Sequence, residues 1–484
     1  MKPHLPRLRV VYSLPDGAQS GVLLRTALFR ELTAADDIEW TFVSPMAADR
    51  EFAGDFAHER AALRAWPTGR AAPADRLLLA LRQELWRRRL DNATSEVFAQ
   101  RLRWCAPLRY QVNRHVAPLL GRIAGMEGFL EWCDRRLATS GGWGPLLREV
   151  RPHAVVLGSA TVKPQETPLA RAARRQGLPV FGIVPSWDNL TSKGLWARFD
   201  QLAVWCESMR REAIELYGYS PHRVAVTGPV PFDLHAQPVT AADRARFFAE
   251  RGLDPARKLL TYASVPKESC PFNRNYVELL AGLIREDRLG TPCQLLVRMH
   301  PQDDPDQFSN VGRLPHVHVE RAGGYAGEAS GLKAILRFKP SGDDARRLTE
   351  TLAVSDVLLN VTSTVTLEAC GLDTPVVNIA FNLPPGADFL DVGDYLKTAH
   401  FAPIAQSGAT YVARNVDEVA RGIRRAMEHP TELALARRRL YQRFDPFCDG
   451  KAADRLAAHI IDFVRRAGHW SSARGDKRVR RRAA

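Results

Sequence analysis

Long apolar runs are missing from these 484 residues. None approaches the roughly 18 residues that a bilayer-spanning helix requires, so the chain reads as water-soluble. Cysteine is scarce and scattered: seven residues, at 105, 133, 206, 270, 293, 370 and 448, with no CxxC pair. An odd count without ligand spacing excludes a disulfide framework and a zinc site, and points to reduced thiols in a cytoplasmic protein. In that compartment the N-x-T triplets at Asn92, Asn189 and Asn360 carry no glycosylation signal. There is no Walker lysine loop and no GxGxxG loop, so neither standard phosphate-cradling fingerprint is available. Zinc-finger spacing, RNP signatures and a basic helix fit to read bases are also lacking, which argues against sequence-specific nucleic-acid binding. No repeat of solenoid length is present. The first residues, up to Leu14, are too polar for a signal peptide and read as a first strand.

What is present is ordinary for a globular enzyme, with 45% hydrophobic and 25% charged residues. The length predicts two large domains. The charge is less ordinary, at a formal +14. Part of the excess sits in residues 51–150, with 16 Arg against 11 acids, and part in 474–484, with six basic residues against Asp476. The tail reads as a solvated, disordered basic end or as a weak contact with an anionic membrane surface.

Strands are predicted at 8–13, 38–43, 154–157, 180–184, 201–205 and 223–227, with helices between them such as 22–32, 168–176 and 207–217. Residues 51–150 interrupt this rhythm, read mostly as helix, and hold five of the ten tryptophans. A Pro-rich boundary falls at 229–240. A second run follows, with strands at 258–263, 294–299, 317–320, 356–360 and 376–379, and helices at 273–286, 343–354 and 365–371. The stretch 416–466 is amphipathic helix. Alternating strands and helices predict an α/β fold of two doubly wound, Rossmann-like sheets facing a cleft, with ligand at the carboxyl ends of the strands. The expected domains are 1–235 with the helical insertion 51–150, 236–440, a C-terminal helix over 441–470 that packs back on the first domain, and the tail 471–484.

The segment 355–381 is the most telling. A buried strand leads through Val361, Thr362, Ser363 and Thr364 into a helix carrying Glu368, then into a second buried strand. A hydroxyl-lined strand-to-helix turn suits a nucleotide phosphate; the plainer alternative for Ser363 or Thr364 is an N-cap. Two more strand tips belong to the same domain. Lys267 follows the strand 258–263 and is a phosphate partner or a surface lysine. Arg298, His300 and Pro301 end the strand 294–299; the His-Pro pair aims an imidazole outward as a hydrogen-bond donor, and Arg298 adds charge. Glu368 is placed to accept two sugar hydroxyls or to stabilise its helix start. In the first half, Trp187, Asp188, Asn189 and Lys193 crowd one loop that suits a polyol, with an Asx turn as the alternative for Asp188 and Asn189. Asp16 follows the first strand as a general base or as part of a tight turn.

These motifs, 186–194 (SWDNLTSKG), 227–233 (TGPVPFD), 298–301 (RMHP), 355–379 and 449–455 (DGKAADR), resemble those of GT-B glycosyltransferases. More narrowly, the chain resembles bacterial capsule and surface-polysaccharide transferases, CDP-glycerol glycerophosphotransferases and nucleotide-sugar 2-epimerase-like proteins. The resemblance implies a nucleotide-activated sugar held by the second domain and a glycan or lipid-linked acceptor held by the first. It implies His300 and the Ser363/Thr364 turn at the donor phosphates, Glu368 near the sugar, and no bound metal or other cofactor. Asp303-Asp304 lies just past the His-Pro pair and reads as a loop rather than a metal clamp. Polyol-phosphate transfer, 2-epimerisation and a non-catalytic nucleotide-binding scaffold are the alternative activities. The insertion departs from the pattern. Within it, 74–90 sets Leu77, Leu78, Leu81 and Leu85 near Arg87–Arg89, a stretch that fits either a membrane surface or ordinary core packing.

Overall fold

Short apolar runs buried on both faces form the strands, as parallel sheets covered by helices require. The structure is a computed structural model that describes residues 7–67, 72–90, 93–136, 138–161, 166–303, 305–321, 323–325, 338–339 and 344–482. Two units result. One comprises Met1–Arg89, Val116–Asp233 and Lys451–Ala484, the other Leu90–His115 and Leu234–Gly450.

The first unit holds seven parallel strands: β1 (Leu8–Ser13), β2 (Ile38–Ser44), β3 (Ala61–Ala65), β4 (Ala154–Leu157), β5 (Val180–Ile183), β6 (Gln201–Val204) and β7 (Val224–Val226). Their order is β3-β2-β1-β4-β5-β6-β7, with Val10 opposite both Trp40 and Ala154. The order reverses direction between β1 and β4, so a crevice opens at their carboxyl ends. β3 lies inside the stretch read as helical. Its sequence AALRA has no β-branched residue, and pairing with β2 rather than propensity makes it a strand. The predicted helix 22–32 is two helices, Gly17–Arg25 and Leu28–Ala34.

The helix Ala452–Arg482 packs on this sheet. Ala453, Leu456, Ile460, Phe463, Val464 and Ala467, spaced three or four apart, share a core with Val10, Trp40 and Phe181. Its start is held from afar: the Ala452 and Ala453 N–H groups each donate to the Asp233 carboxylate at 2.8 Å. The end read as a disordered tail continues this helix to Arg482, since Ala- and Arg-rich sequence without proline sets no stop. Within the insertion, the helix Pro73–Leu90 buries Leu85 and Trp86, and the Trp86 ring lies edge-on to Trp196. Leu85 and Trp86 follow the core-packing alternative for 74–90, while Leu77 stands 60% exposed.

The second unit holds β8 (Lys258–Ala263), β9 (Cys293–Met299), β10 (Val317–Arg321), a two-stranded ribbon of β11 (Gly324–Tyr325) and β12 (Phe338–Lys339), and then β13 (Val357–Asn360), β14 (Val376–Ile379) and β15 (Tyr411–Ala413). Its main sheet is parallel with order β10-β9-β8-β13-β14-β15. The switch point falls between β8 and β13. Leu260, Tyr262, Leu295, Val297 and Leu359 bury one face of the sheet; Leu259 and Leu296 bury the other against Phe247 and Phe248. Among the described residues no helix is long and apolar enough to cross a membrane.

Candidate functional site

Three loops leave the carboxyl ends of β8, β9 and β13, neighbours at the switch point of the second sheet. The first runs from Ser264 to Phe272 and is held by Asn273. That buried amide accepts from the Tyr262 hydroxyl and the Val265 N–H, and donates to the Val265 and Cys270 carbonyls. Lys267 stands exposed on this clamped loop.

The second loop carries His300. Its N–H donates to Ser264 Oγ at 2.8 Å and to Asp303 Oδ2 at 3.1 Å, and the Ser264 hydroxyl donates to the same Asp303 oxygen. The Asp303 N–H returns to the His300 carbonyl at 2.9 Å, closing a turn around Pro301. His300 Nδ1 accepts from the Gln302 N–H at 3.1 Å, which leaves Nε2 to carry the ring proton. Burial lowers the imidazole pKa to about 4. His300 is therefore a neutral donor at pH 7, and it adds no positive charge to a phosphate. Burial raises the Asp303 carboxyl.

Arg298 corrects the sequence reading. Its guanidinium donates to Glu320 at 3.0 Å, and Glu320 is shared with Arg251 at 2.7 Å. Strand alternation places Arg298 on the face carrying Leu296, so it builds an ion-pair cluster on the sheet rather than supplying the strand tip with charge.

The third loop is the hydroxyl turn. Thr362, Ser363 and Thr364 are all half-buried. Ser363 Oγ accepts from the Val365 N–H at 3.3 Å, so the capping alternative is realised for Ser363, whereas Thr364 makes no side-chain cap. Beneath them Asn360, Thr366 and Asn378 form a buried network at 2.8–3.2 Å that fixes the helix Val365–Gly371 against β13 and β14. Glu368 sits beside His235, with its Oε2 3.6 Å from Nε2; His235 Nδ1 lies 3.4 Å from the Tyr441 hydroxyl. This carboxylate faces an imidazole that the sequence reading missed.

The first unit presents a different set. Asp16 is buried and caps the helix Gly17–Arg25, accepting from the Gln19 N–H at 2.9 Å. Ser13, ending β1, donates to the buried Glu166. Burial raises the Glu166 carboxyl well above its usual range; the Ser13 hydrogen bond opposes this and the Asp16 charge adds to it. Gly158, after β4, brings its backbone so close that a Cβ would stand 2.6 Å from the Ser13 carbonyl oxygen. A cavity of about 30 Å³ at this edge is lined by Tyr12, Gln19, Gly158, Pro185, Trp205 and Thr227, among others.

The loop after β5 is self-satisfied. Asp188 Oδ1 accepts from Ser186 Oγ at 2.7 Å and Asn189 Nδ2 at 2.9 Å, and Oδ2 accepts from Ser192 Oγ at 2.7 Å. Trp187 and Asn189 are buried, and Asn189 Oδ1 accepts from the Thr161 hydroxyl. The Lys193 carbonyl accepts from Trp196 Nε1. The turn alternative is thus realised for Asp188 and Asn189, and Trp187 is buried beside them. Asp188 is too fully engaged to serve as a free base.

Ser264, His235 and Glu166 were given no role in the sequence, and Asp303 was read only as part of a loop. Only Asp303 had a visible signal there, an acid three residues past a His-Pro pair, where it can close a turn.

No known protein family matches the chain in sequence, and no curated protein does either. In three dimensions it is similar to the UDP-GlcNAc 2-epimerase of Neisseria meningitidis, solved with UDP-GlcNAc. Identity is 10%, coverage 94% of this chain and 100% of that one, and the TM-score 0.53. It is also similar to S. aureus MnaA solved with UDP (12% identity, 95% and 97% coverage, TM-score 0.53). The UDP-GlcNAc 2-epimerase of Methanocaldococcus jannaschii gives 11%, 94%, 100% and 0.52. At such identities the likeness shows the fold: GT-B, with two Rossmann-like domains.

Proposed function

We propose that the chain is a transferase that uses a nucleotide-activated sugar, bound at the switch point of the second sheet. One observation carries the reading: the Lys267 loop, the His300 tip and the Thr362–Thr364 turn leave adjacent parallel strands at one edge. Ligands of open α/β sheets bind at that place. As the bond between the sugar carbon and the diphosphate oxygen breaks, negative charge grows on the diphosphate. The His300 Nε2–H, the turn hydroxyls and the Lys267 ammonium stabilise that charge. The acceptor hydroxyl attacks the sugar carbon and gives up its proton to a base. No metal enters this scheme, and turnover is expected to survive EDTA. The acceptor we assign is a glycan or lipid-linked precursor in the cytoplasm.

A second reading, 2-epimerisation, draws support from the epimerase folds that the chain resembles. A UDP-sugar incubated without acceptor separates the two. Free nucleotide appearing only when acceptor is added supports transfer; a C2-inverted sugar formed without acceptor, seen by proton NMR, selects the epimerase. Binding comes first, in a thermal-shift panel of CMP, CDP, UDP, GDP and dTDP. One nucleotide is expected to raise Tm, and less so in His300→Ala. A panel with no shift on folded protein removes the second-sheet site.

A further inference from the structure

Residues 116–136 carry an outer face that the fold leaves uncovered. The helix Met126–Arg136 is apolar on two sides. Leu130 and Cys133 are buried on the inner side. On that side Asp134, also buried, pairs with Arg82 at 3.1 Å and with Arg171. The opposite side presents Phe129 (56% exposed) and Trp132 (51%), their rings stacked with centroids 6.2 Å apart. A short turn, 122–125, precedes this helix. Val116 and Leu119 on the last turns of the preceding helix and Ile123 in the turn are 40%, 61% and 52% exposed. Single exposed apolar residues are normal, but five large ones within seventeen consecutive residues form a surface with a purpose.

The charges beside these side chains decide what covers them. Arg122, Arg135 and Arg136 are exposed. Glu127 is paired with Arg89 at 3.3 Å and Glu131 with Arg135 at 2.8 Å, while Asp134 is buried. Every carboxylate of the segment is thus paired with an arginine, Arg135 being engaged by Glu131, so Arg122 and Arg136 are the exposed cations that flank the apolar side chains. Stacked Phe and Trp, aliphatic residues and flanking arginines suit the headgroup–acyl boundary of a bilayer. There amphipathic rings sit at headgroup depth, and cations near an anionic surface are attracted to it.

We propose that the paired helix ends over 116–136 dock on a bilayer carrying anionic headgroups. The test is co-sedimentation of the full chain with phosphatidylcholine vesicles, with and without phosphatidylglycerol. Binding is expected to the anionic vesicles, and to weaken as salt rises. The combined variant Leu119→Ser, Ile123→Ser, Phe129→Ser, Trp132→Ser should bind them about tenfold or more weakly. Its circular dichroism and Tm should match the parent, because all four side chains are exposed. Removing 474–484 should leave most of the binding in place. Absence of vesicle binding, or equal binding by a folded quadruple variant, overturns the proposal. So does binding that disappears with the basic tail. A parent dimer that the quadruple variant converts to monomer, with vesicle binding unchanged, assigns the face to a second copy instead and also overturns it.

Discussion

At the switch point of the first sheet stands a buried carboxyl group, Glu166, hydrogen-bonded by Ser13 and close to Asp16; at that of the second stands a neutral imidazole, His300, on a turn closed by Ser264 and Asp303. The sheets share parallel topology and a reversal of strand order, so the backbone sets the same stage twice. What differs is polarity. The second edge offers hydroxyls, an N–H donor and a lysine, a set that receives negative charge. The first offers Glu166, whose burial favours the neutral acid, beside Asp16 at the start of its helix. One backbone plan thus carries opposite side-chain sets at its two switch points.

The largest expected effect breaks the second edge. His300→Ala should lower turnover about 10²- to 10³-fold, the usual consequence of removing one preorganised donor from a developing anion. Initial rates on a folded variant check it, and an undiminished rate would return the edge to a structural role.

pH sharpens the contrast, because the two groups respond with opposite sign. His300 has its pKa lowered from 6.5 to about 4, so the unfolded chain binds the extra proton first. Its contribution to stability is complete above pH 6.5 and is lost as pH falls toward 4, by about 3 kcal/mol at that pH. Glu166 has its pKa raised, so the folded chain holds the proton longer. Its contribution is lost as pH rises above the unfolded value of 4.5. Denaturant melts from pH 4 to 9 should show His300→Gln flattening the acid limb and Glu166→Gln flattening the alkaline one. Parallel curves for parent and variants would mean that neither group is held in the stated form.

A smaller effect belongs to the turn that carries His300. Asp303→Ala removes the carboxylate oxygen that accepts from Ser264 and from the His300 N–H. The expected loss is about 2 kcal/mol, read as a lower Tm, with reduced turnover from a loosened imidazole. Asp303→Asn keeps an acceptor and should fall between the two. Nothing in the first unit should respond, so an altered alkaline limb in this variant would contradict the separation drawn between the edges.

Most strands were legible because burial on both faces leaves near-continuous apolar runs such as LRVVYS, AVVL and VLLN. β3 escaped because its partner, not its composition, makes it a strand. The His300 tip was legible because a His-Pro pair after an apolar run marks a strand end. The partners of Arg298 were not. Glu320 lies 22 positions on and Arg251 47 positions back, and only the β9–β10 pairing and the helix Ala241–Arg251 bring all three together. The loop over 186–194 stayed ambiguous for a related reason: polar residues that would suit a polyol satisfy one another just as well, and sequence alone cannot say which partner Asp188 finds. Glu166 gave no signal, since its hydrogen-bond partner Ser13 lies 153 positions away and reaches it only because β1 pairs with β4.

The smallest expected effect concerns Ser363, where two readings of one hydroxyl can be separated. As a cap it accepts from the Val365 N–H at 3.3 Å, at the long end for a hydrogen bond. Ser363→Ala should therefore cost no more than about 1 kcal/mol of stability. Ser363 is half-buried at the tip of β13, and a hydroxyl can donate its proton toward a phosphate while a lone pair still serves the cap. If it does both, Ser363→Ala raises KM for the nucleotide donor several-fold, and Ser363→Thr, which keeps the hydroxyl, restores it. A fall in Tm with KM unchanged assigns Ser363 to the helix alone, and leaves Thr362, Thr364 and Lys267 as the anion-facing groups of an edge still distinct from the acidic one across from β1.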